Sequence, residues 1–261
     1  MSFSVSSHEE LQAIMNVTVE SLAGFCGLTG GEDQQADYRS LMQQLGILQT
    51  RPMALQKKIH NEFAAKYLPA LMSVYRESSG PLNAAMTMLN VISYTAYFVR
   101  FQRSSAGSDL AAIQAHRTAI DPASTLLDID TIGEITQFLG TLLLLQGTSG
   151  ITEDDKKALL SKMNKWKNIY RGTGRVAEKA SERCNALLAR KSGLPAGYKD
   201  VKDHIEQVVE QCGAEGCSRR QQTSGSELMQ CARCKSALYC GTAHQKQAWP
   251  SHKSTCFAPT F

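Results

Sequence analysis

The sequence predicts a mainly α-helical protein in which a multi-helix N-terminal region precedes a small C-terminal unit rich in cysteine and histidine. Over most of residues 1–211, apolar residues recur every three or four positions, which is the spacing of one helix face. Six of the eight cysteines lie between residues 212 and 256. A chain of 261 residues is long enough for one good core and a smaller appended unit.

The first half of the helical region contains several predicted helices. Ser7 and Glu10 have the spacing of a capping box at a helix start. A long helix from about Met53 to Tyr75 contains Pro69, which should kink or divide it. The pair Gly80-Pro81 is predicted to start the next helix. It belongs to an uncharged apolar stretch, residues 82–99, that we expect to form a buried core helix.

The second half of the helical region is predicted in the same way. Thr131 and Glu134 have the spacing of another capping box. Thr152 precedes three acidic residues, which are favourable at a helix N-terminus because of the helix dipole. The last predicted helix runs from Tyr198 almost to Cys212. Residues 193–197, which contain two glycines and a proline, are therefore a better hinge than the junction at Cys212.

The composition indicates a folded intracellular protein. Hydrophobic residues make up 43% and charged residues 20% of the chain. The N-terminal sequence MSFSVSSHEELQ lacks the pattern of a secretory signal, and residues 82–99 are too short and polar for a comfortable membrane span. We expect a location in the cytoplasm or nucleus and no membrane partner. The oligomeric state is not predicted.

No motif in the helical region indicates catalysis. The sequence has no phosphate-binding Walker loop, no strand-associated GxGxxG, no HExxH and no GxSxG. Cys26 and Cys184 fall on apolar stripes and are expected in the core rather than as nucleophiles. We therefore predict that the protein is not an enzyme. An activity carried by the helical region in an unrecognised form is the alternative.

The C-terminal segment has the ligands of two structural zinc sites. Eight thiolate and imidazole donors suit two tetrahedral zinc ions, and no carboxylate-rich shell indicates calcium or magnesium. A tail of free cysteines or a disulfide framework is the alternative, but CxxC in a chain without an export signal favours metal. In chain order the donors are Cys212, Cys217, Cys231, Cys234, Cys240, His244, His252 and Cys256.

The stretch CARCKSALYCGTAHQKQAWPSHKSTC resembles a MYND zinc finger. The matching features are the C-x2-C pair, a hairpin ending in Tyr-Cys, then Gln, Trp, His-Lys and a closing Cys. The resemblance covers residues 212–256, and nothing upstream resembles a family that we can name. We accordingly expect a helical domain of unassigned role at residues 1–205. Residues 206–261 would hold the end of the last helix and the finger.

The resemblance implies that the two zinc sites interleave along the chain. The first zinc would be bound by Cys212, Cys217, Cys240 and His244, and the second by Cys231, Cys234, His252 and Cys256. This order would cross-brace a segment too small to fold on its own apolar core.

Three features depart from the family pattern. Cys212 and Cys217 are separated by four residues where two are commoner, and a long polar insert precedes Cys231. His244 stands where the family usually has cysteine. Because three cysteines and one histidine form an ordinary structural zinc shell, we expect His244 to be a ligand.

The resemblance also implies a function, namely docking short proline-containing peptides, often in transcriptional regulation. Gln245 and Trp249 match the residues that help form the peptide groove of the family. A tryptophan face suits proline rings, and an amide can pair with an extended backbone. The alternative for Trp249 is a place in the small core of the finger.

The positive charge of the C-terminal segment favours an acidic ligand but does not decide between a peptide and nucleic acid. Residues 212–256 carry six Lys or Arg against two Glu, an excess equal to the net charge of +4 of the whole chain. This excess would favour acidic residues beside a docked peptide. It is too small to argue for nucleic acid by itself, so a nucleic-acid-binding regulator is kept as an alternative function.

Overall fold

The computed structural model describes residues 17–30, 36–121, 128–190, 193–221 and 227–261. Within these ranges the chain is mainly α-helical, as predicted, and its one sheet is a two-stranded antiparallel hairpin. The predicted capping box at Ser7 lies outside the described residues. The helices are α1 (Val19–Phe25), α2 (Tyr38–Gln49), α3 (Met53–Glu77), α4 (Ala84–Ile92), α5 (Ala96–Phe101), α6 (Leu110–Ile120), α7 (Ile129–Gln146), α8 (Glu153–Ile169), α9 (Val176–Leu188), α10 (Tyr198–Glu210) and α11 (Thr242–His252), and the strands are β1 (Met229–Gln230) and β2 (Leu238–Tyr239).

The prediction of a capping box at Thr131 and Glu134 is wrong. Helix α7 begins three residues earlier, because the Asp128 carboxylate accepts hydrogen bonds from the backbone N–H groups of Asp130 and Thr131. Glu134 turns away from the helix start and accepts hydrogen bonds from the hydroxyls of Thr87 and Tyr38. Its burial raises the pKa of this carboxyl group. Asp128, and not Thr131, therefore caps α7, and Glu134 connects α7 to Tyr38 of α2 and Thr87 of α4.

The apolar stretch 82–99 forms two helices rather than one. Helix α4 starts at Ala84, after Asn83 caps the N–H of Met86, and not at Gly80-Pro81. The chain breaks again at Thr95, whose hydroxyl accepts from the N–H of Phe98 and starts α5. Local side-chain caps therefore override the continuous apolar pattern.

Pro69 does not divide the long helix. Helix α3 runs without interruption from Met53 to Glu77 with Pro69 inside it. The helix is held by packing on either side of the proline in sequence, since Leu68 and Leu71 are fully buried. Tertiary contacts therefore offset the loss of one backbone hydrogen bond.

At Thr152 the predicted helix start is confirmed, because the Thr152 side chain caps α8 through the N–H of Asp155.

The described helices share two hydrophobic cores. One is built chiefly from α1–α5 and the other from α8 and α9, and both α6 and α7 contribute to each of them. Cys26 lies in the first core and Cys184 in the second, both without exposed surface, and burial raises the pKa of each thiol to about 12. Both cysteines are core residues, as predicted.

The C-terminal unit packs directly on the first core. Four buried cysteines of this unit belong to the same apolar cluster as α1–α5. Arg103, just after α5, pairs with Glu206 and Glu210 of α10 at 2.8 and 2.7 Å. The predicted domain boundary between residues 205 and 206 falls inside α10. No helix in the described part of the chain is long and apolar enough to cross a membrane.

The residues after the last predicted ligand are held by the helices. The Tyr97 hydroxyl lies 3.1 Å from the carbonyl oxygen of Thr255 and accepts from the N–H of Phe257 at 2.7 Å. The Thr260 N–H donates to the Ala65 carbonyl at 3.0 Å. These contacts bracket Cys256 in sequence, so they fix the end of the metal-binding segment against α3 and α5.

Candidate metal centre

Tight backbone turns bring the predicted ligands of the C-terminal unit together. Between Cys231 and the hairpin strand β2, the Lys235 N–H donates to the Cys231 carbonyl at 3.0 Å, and Lys235 takes a left-handed conformation with φ of 55°. Gly216, just before Cys217, also has a positive φ, of 75°. Glycine adopts this conformation readily, but lysine does not.

The first group of donors joins the start of the C-terminal unit to its hairpin and to α11. It contains Cys212, Cys217, Cys240 and His244, whose donor atoms all lie within 4.8 Å of one another. Cys212 follows α10, Cys240 follows β2 and His244 is in the first turn of α11. The Cys217 and Cys240 sulfurs are 3.6 Å apart, and Nδ1 of His244 is 3.4 Å from the Cys212 sulfur.

The second group lies deeper, against the helical body. It contains Cys231, Cys234, His252 and Cys256, again within 4.8 Å of one another. The Cys231 and Cys256 sulfurs are 3.7 Å apart, and Nε2 of His252 is 3.6 Å from the Cys234 sulfur. Its three cysteines are buried, whereas only Cys212 is buried in the first group.

These distances fit tetrahedral zinc. Zinc–sulfur bonds of about 2.3 Å and zinc–nitrogen bonds of about 2.0–2.1 Å imply tetrahedron edges of about 3.8 Å between sulfurs and about 3.6 Å between sulfur and nitrogen. The four measured separations, from 3.4 to 3.7 Å, lie close to these values. Each group therefore has the size and the donor chemistry of one structural zinc site.

The local electrostatics also suit a cation. The Arg219 N–H lowers the pKa of the Cys217 thiol. Burial raises the pKa of Cys231, but the N–H groups of Cys234 and Arg233 outweigh it and leave this pKa below its usual value. Such amide donors favour the thiolate, which is the form that binds metal.

At two other ligands of the second group, burial favours the uncharged form. Burial and the neighbouring Cys234 raise the pKa of Cys256 to about 12. Burial lowers the pKa of His252 and so favours its neutral form, the form that ligates metal. A zinc ion reverses the shift at Cys256, because a coordinating thiol is deprotonated. Zinc affinity should therefore fall on acidification.

The structure assembles the same two groups of four that the resemblance implied. His244 joins the first group through Nδ1, whereas His252 faces the second group through Nε2. This difference was not predictable from the spacing, because it depends on how α11 is rotated relative to the hairpin. Among the described residues these are the only groups of three or more Cys, His, Asp or Glu side chains that could hold a metal.

Gln245 and Trp249 lie on α11, between His244 of the first group and His252 of the second. Trp249 is 42% exposed and its ring contacts His252 edge to face, with ring centroids 5.9 Å apart. Tyr239 and Ala248, which are 1% and 5% exposed, fill the interior instead. Trp249 is therefore not the core of the finger. The described residues provide no hydrogen-bond partner for the side-chain amide of Gln245.

Sequence reasoning missed Tyr97. It lies 158 and 160 residues before Thr255 and Phe257, but its hydroxyl contacts the backbone of both, on either side of Cys256. No local motif marks such a residue. Its place in the apolar run YFVRF suggests only a core position, and Tyr97 is indeed 1% exposed.

The comparisons with known proteins agree with this geometry. Residues 210–256 match the model of the MYND finger family. A stretch of 69 residues is 33% identical to Egl nine homolog 1 of Homo sapiens. The stretch covers 26% of this chain and 14% of that protein. No solved structure matches the chain significantly. Residues 210–256 are therefore a MYND finger, a zinc-binding protein-interaction module with two cross-braced metal-binding clusters.

Proposed function

We propose that this protein is an interaction adaptor whose MYND finger docks short proline-containing peptides on Trp249 and Gln245, with transcriptional regulation as its setting. The supporting observation is the exposure of Trp249. An indole that is 42% exposed, in a unit whose interior is filled by other side chains, presents an apolar face to solvent. Proline rings pack well on such a face.

The neighbouring side chains define the rest of the ligand chemistry. Gln245 lies one helical turn before Trp249 on α11, so both can face the same side. The Gln245 amide offers a donor and an acceptor to an extended backbone. Lys246 and Lys253 are exposed nearby, and no acidic residue lies between Gln230 and Phe261. A peptide with an acidic residue beside its proline therefore fits best.

The two zinc ions act in this proposal as structural cofactors, and the finger is not an enzyme. Each group provides four protein donors, which complete a tetrahedral shell and leave no position for a reactive water. The ligands would be the eight cysteine and histidine residues described above. Zinc binding would hold α11 against the hairpin and so orient Trp249.

Titration of the intact protein with proline-containing peptides tests this function. Trp166 is 2% exposed and Trp249 is 42% exposed, and these are the two tryptophans of the chain. Peptide binding should therefore change the fluorescence of Trp249, with little contribution from Trp166. We expect Trp249→Ala to lose binding by fluorescence anisotropy of a labelled peptide.

Met229→Ala is a matched control, because Met229 is exposed to a similar degree, 43%, on strand β1 instead of α11. It should bind like the wild type. Equal binding by Trp249→Ala, or no binding of any proline-containing peptide by the zinc-loaded protein, would contradict the proposal. Steeply salt-dependent binding to duplex DNA would favour the nucleic-acid alternative instead.

A further inference from the structure

A cavity of about 870 Å³ lies in the helical body, where the ends of α7 and α9 meet the first turns of α8. No finger residue lines it. Its volume falls within the range of roughly 300–1,000 Å³ that is common for small-molecule sites. The finger and its docked peptide therefore do not explain this cavity.

The charges around the cavity are unbalanced. Its cationic lining residues are Lys156, Lys157 and Arg190, and Glu153 is the only carboxylate among the described residues that line it. Glu153 is paired with Lys156 at 2.7 Å. Lys157 and Arg190 have no carboxylate partner within the described chain. The cavity therefore has an uncompensated positive charge.

Arg190 is the most informative of these residues. Its Nη1 atom is buried and has no hydrogen-bond partner among the described residues. The carboxyl ends of α7 and α9 border the cavity, and a cation there often serves only to cap free carbonyl groups. Nη1 does not do so, and an unpaired buried donor is unfavourable. Nη1 itself has no surface open to the cavity, but Arg190 lines it, so an anion bound in the cavity would neutralise the charge of this side chain.

The remaining lining residues of the cavity are partly apolar. Leu187 is 6% exposed, and Leu160 and Leu194 are partly exposed beside it. The hydroxyl-bearing residues Thr148 and Ser149 lie on the loop between α7 and α8. An inorganic anion would make no apolar contact with the leucines, whereas a neutral aliphatic ligand would not pair with the cationic side chains.

We propose that this cavity binds a small amphipathic anion, an aliphatic chain that ends in a carboxylate or phosphate group. The head group would lie against Arg190 and Lys157, and the chain would lie on the leucines. This site is independent of the peptide-docking function of the finger, and it gives the helical body a ligand of its own.

Calorimetric titration of the intact zinc-loaded protein tests the proposal with four probes. Octanoate and octyl phosphate carry both parts of the predicted ligand, octanol carries only the chain, and inorganic phosphate only the head group. We expect one of the first two to bind on the order of 10-fold or more tighter than octanol and phosphate, because a charge-assisted hydrogen bond contributes about this much. The tighter of the two identifies the head group.

Variants assign the binding to this cavity. Replacing Arg190 and Lys157 together by Gln should weaken binding on the order of 10-fold or more. The single variant Lys157→Gln, at an exposed position, should fold normally and show part of the loss. Lys165→Gln is the matched control, since Lys165 is an exposed lysine of α8 that does not line the cavity.

Three results would overturn the proposal. The first is no binding of either amphipathic anion. The second is equal binding of octanol or of inorganic phosphate, which would show that only one part of the ligand is recognised. The third is unchanged affinity in both the single and the double variant, with folding checked by circular dichroism.

Discussion

Replacing Tyr97 by Phe should weaken zinc binding at the second site, although Tyr97 is not a zinc ligand. The substitution removes the hydroxyl that accepts from the Phe257 N–H at 2.7 Å and lies 2.9 Å from the Phe257 carbonyl oxygen. The aromatic ring and its packing against the core are retained. The change therefore isolates the connection between the helical body and the residues beside Cys256.

The size of the effect follows from burial. Tyr97 is 1% exposed, and its hydrogen bonds with Thr255 and Phe257 are partly buried, so water can replace the hydroxyl only in part. Leaving a buried backbone group unpaired costs about 1–3 kcal/mol. We expect the free energy of unfolding to fall by about this amount in urea. One of the two zinc ions should also be released faster to a chromogenic chelator.

Tyr170→Phe is the control, because the described residues provide no hydrogen-bond partner for the Tyr170 hydroxyl. It should change neither stability nor zinc release. If Tyr97→Phe released both zinc ions at wild-type rates and lost less than about 0.5 kcal/mol, within the range of neutral substitutions, the finger would not be coupled to the body through this contact.

Further predictions concern backbone strain, pH and helix capping. Lys235→Gly should stabilise the protein by about 1 kcal/mol in urea unfolding, because glycine relieves the left-handed conformation at φ of 55°; a loss of stability would contradict this. Burial lowers the pKa of His60 to about 4 from an ordinary value of 6.5. Its contribution to stability should therefore be complete above pH 6.5 and be lost as pH falls from 6.5 to 4, by up to about 3 kcal/mol. A weaker acid dependence in His60→Gln than in the wild type, measured by thermal unfolding in this window, checks the sign, and identical slopes would refute it. Asp128→Ala should cost about 1 kcal/mol because it removes the cap of α7; an effect no larger than that of Asp37→Asn, which keeps an N-cap residue type on α2, would argue against this cap.

The sequence predicted the metal ligands well because their chemistry is local. Zinc requires particular donor atoms at particular spacings. A segment too small to fold on its own core depends on these donors for its stability, so they stand out in the sequence. The pairing of Cys212 with His244, and of Cys231 with Cys256, followed from the family pattern. The choice between Nδ1 and Nε2 did not, since it depends on the orientation of α11.

The helical region was predicted less completely. Apolar periodicity located the helices, but their ends depend on which of several competing caps forms. Asp128 was preferred over Thr131, and Asn83 over Gly80-Pro81, because their side chains satisfy the first free N–H groups. Contacts such as that of Tyr97 with Phe257 join residues 160 positions apart, and no sequence pattern specifies them.

The zinc content of the purified protein tests the central claim most directly. We expect two zinc ions per chain by mass spectrometry, one for each group of four donors, and about one in His244→Ala. The control His204→Ala, at an exposed histidine of α10, should keep both. One zinc in the wild type, or two in His244→Ala with unchanged stability, would contradict two four-ligand sites.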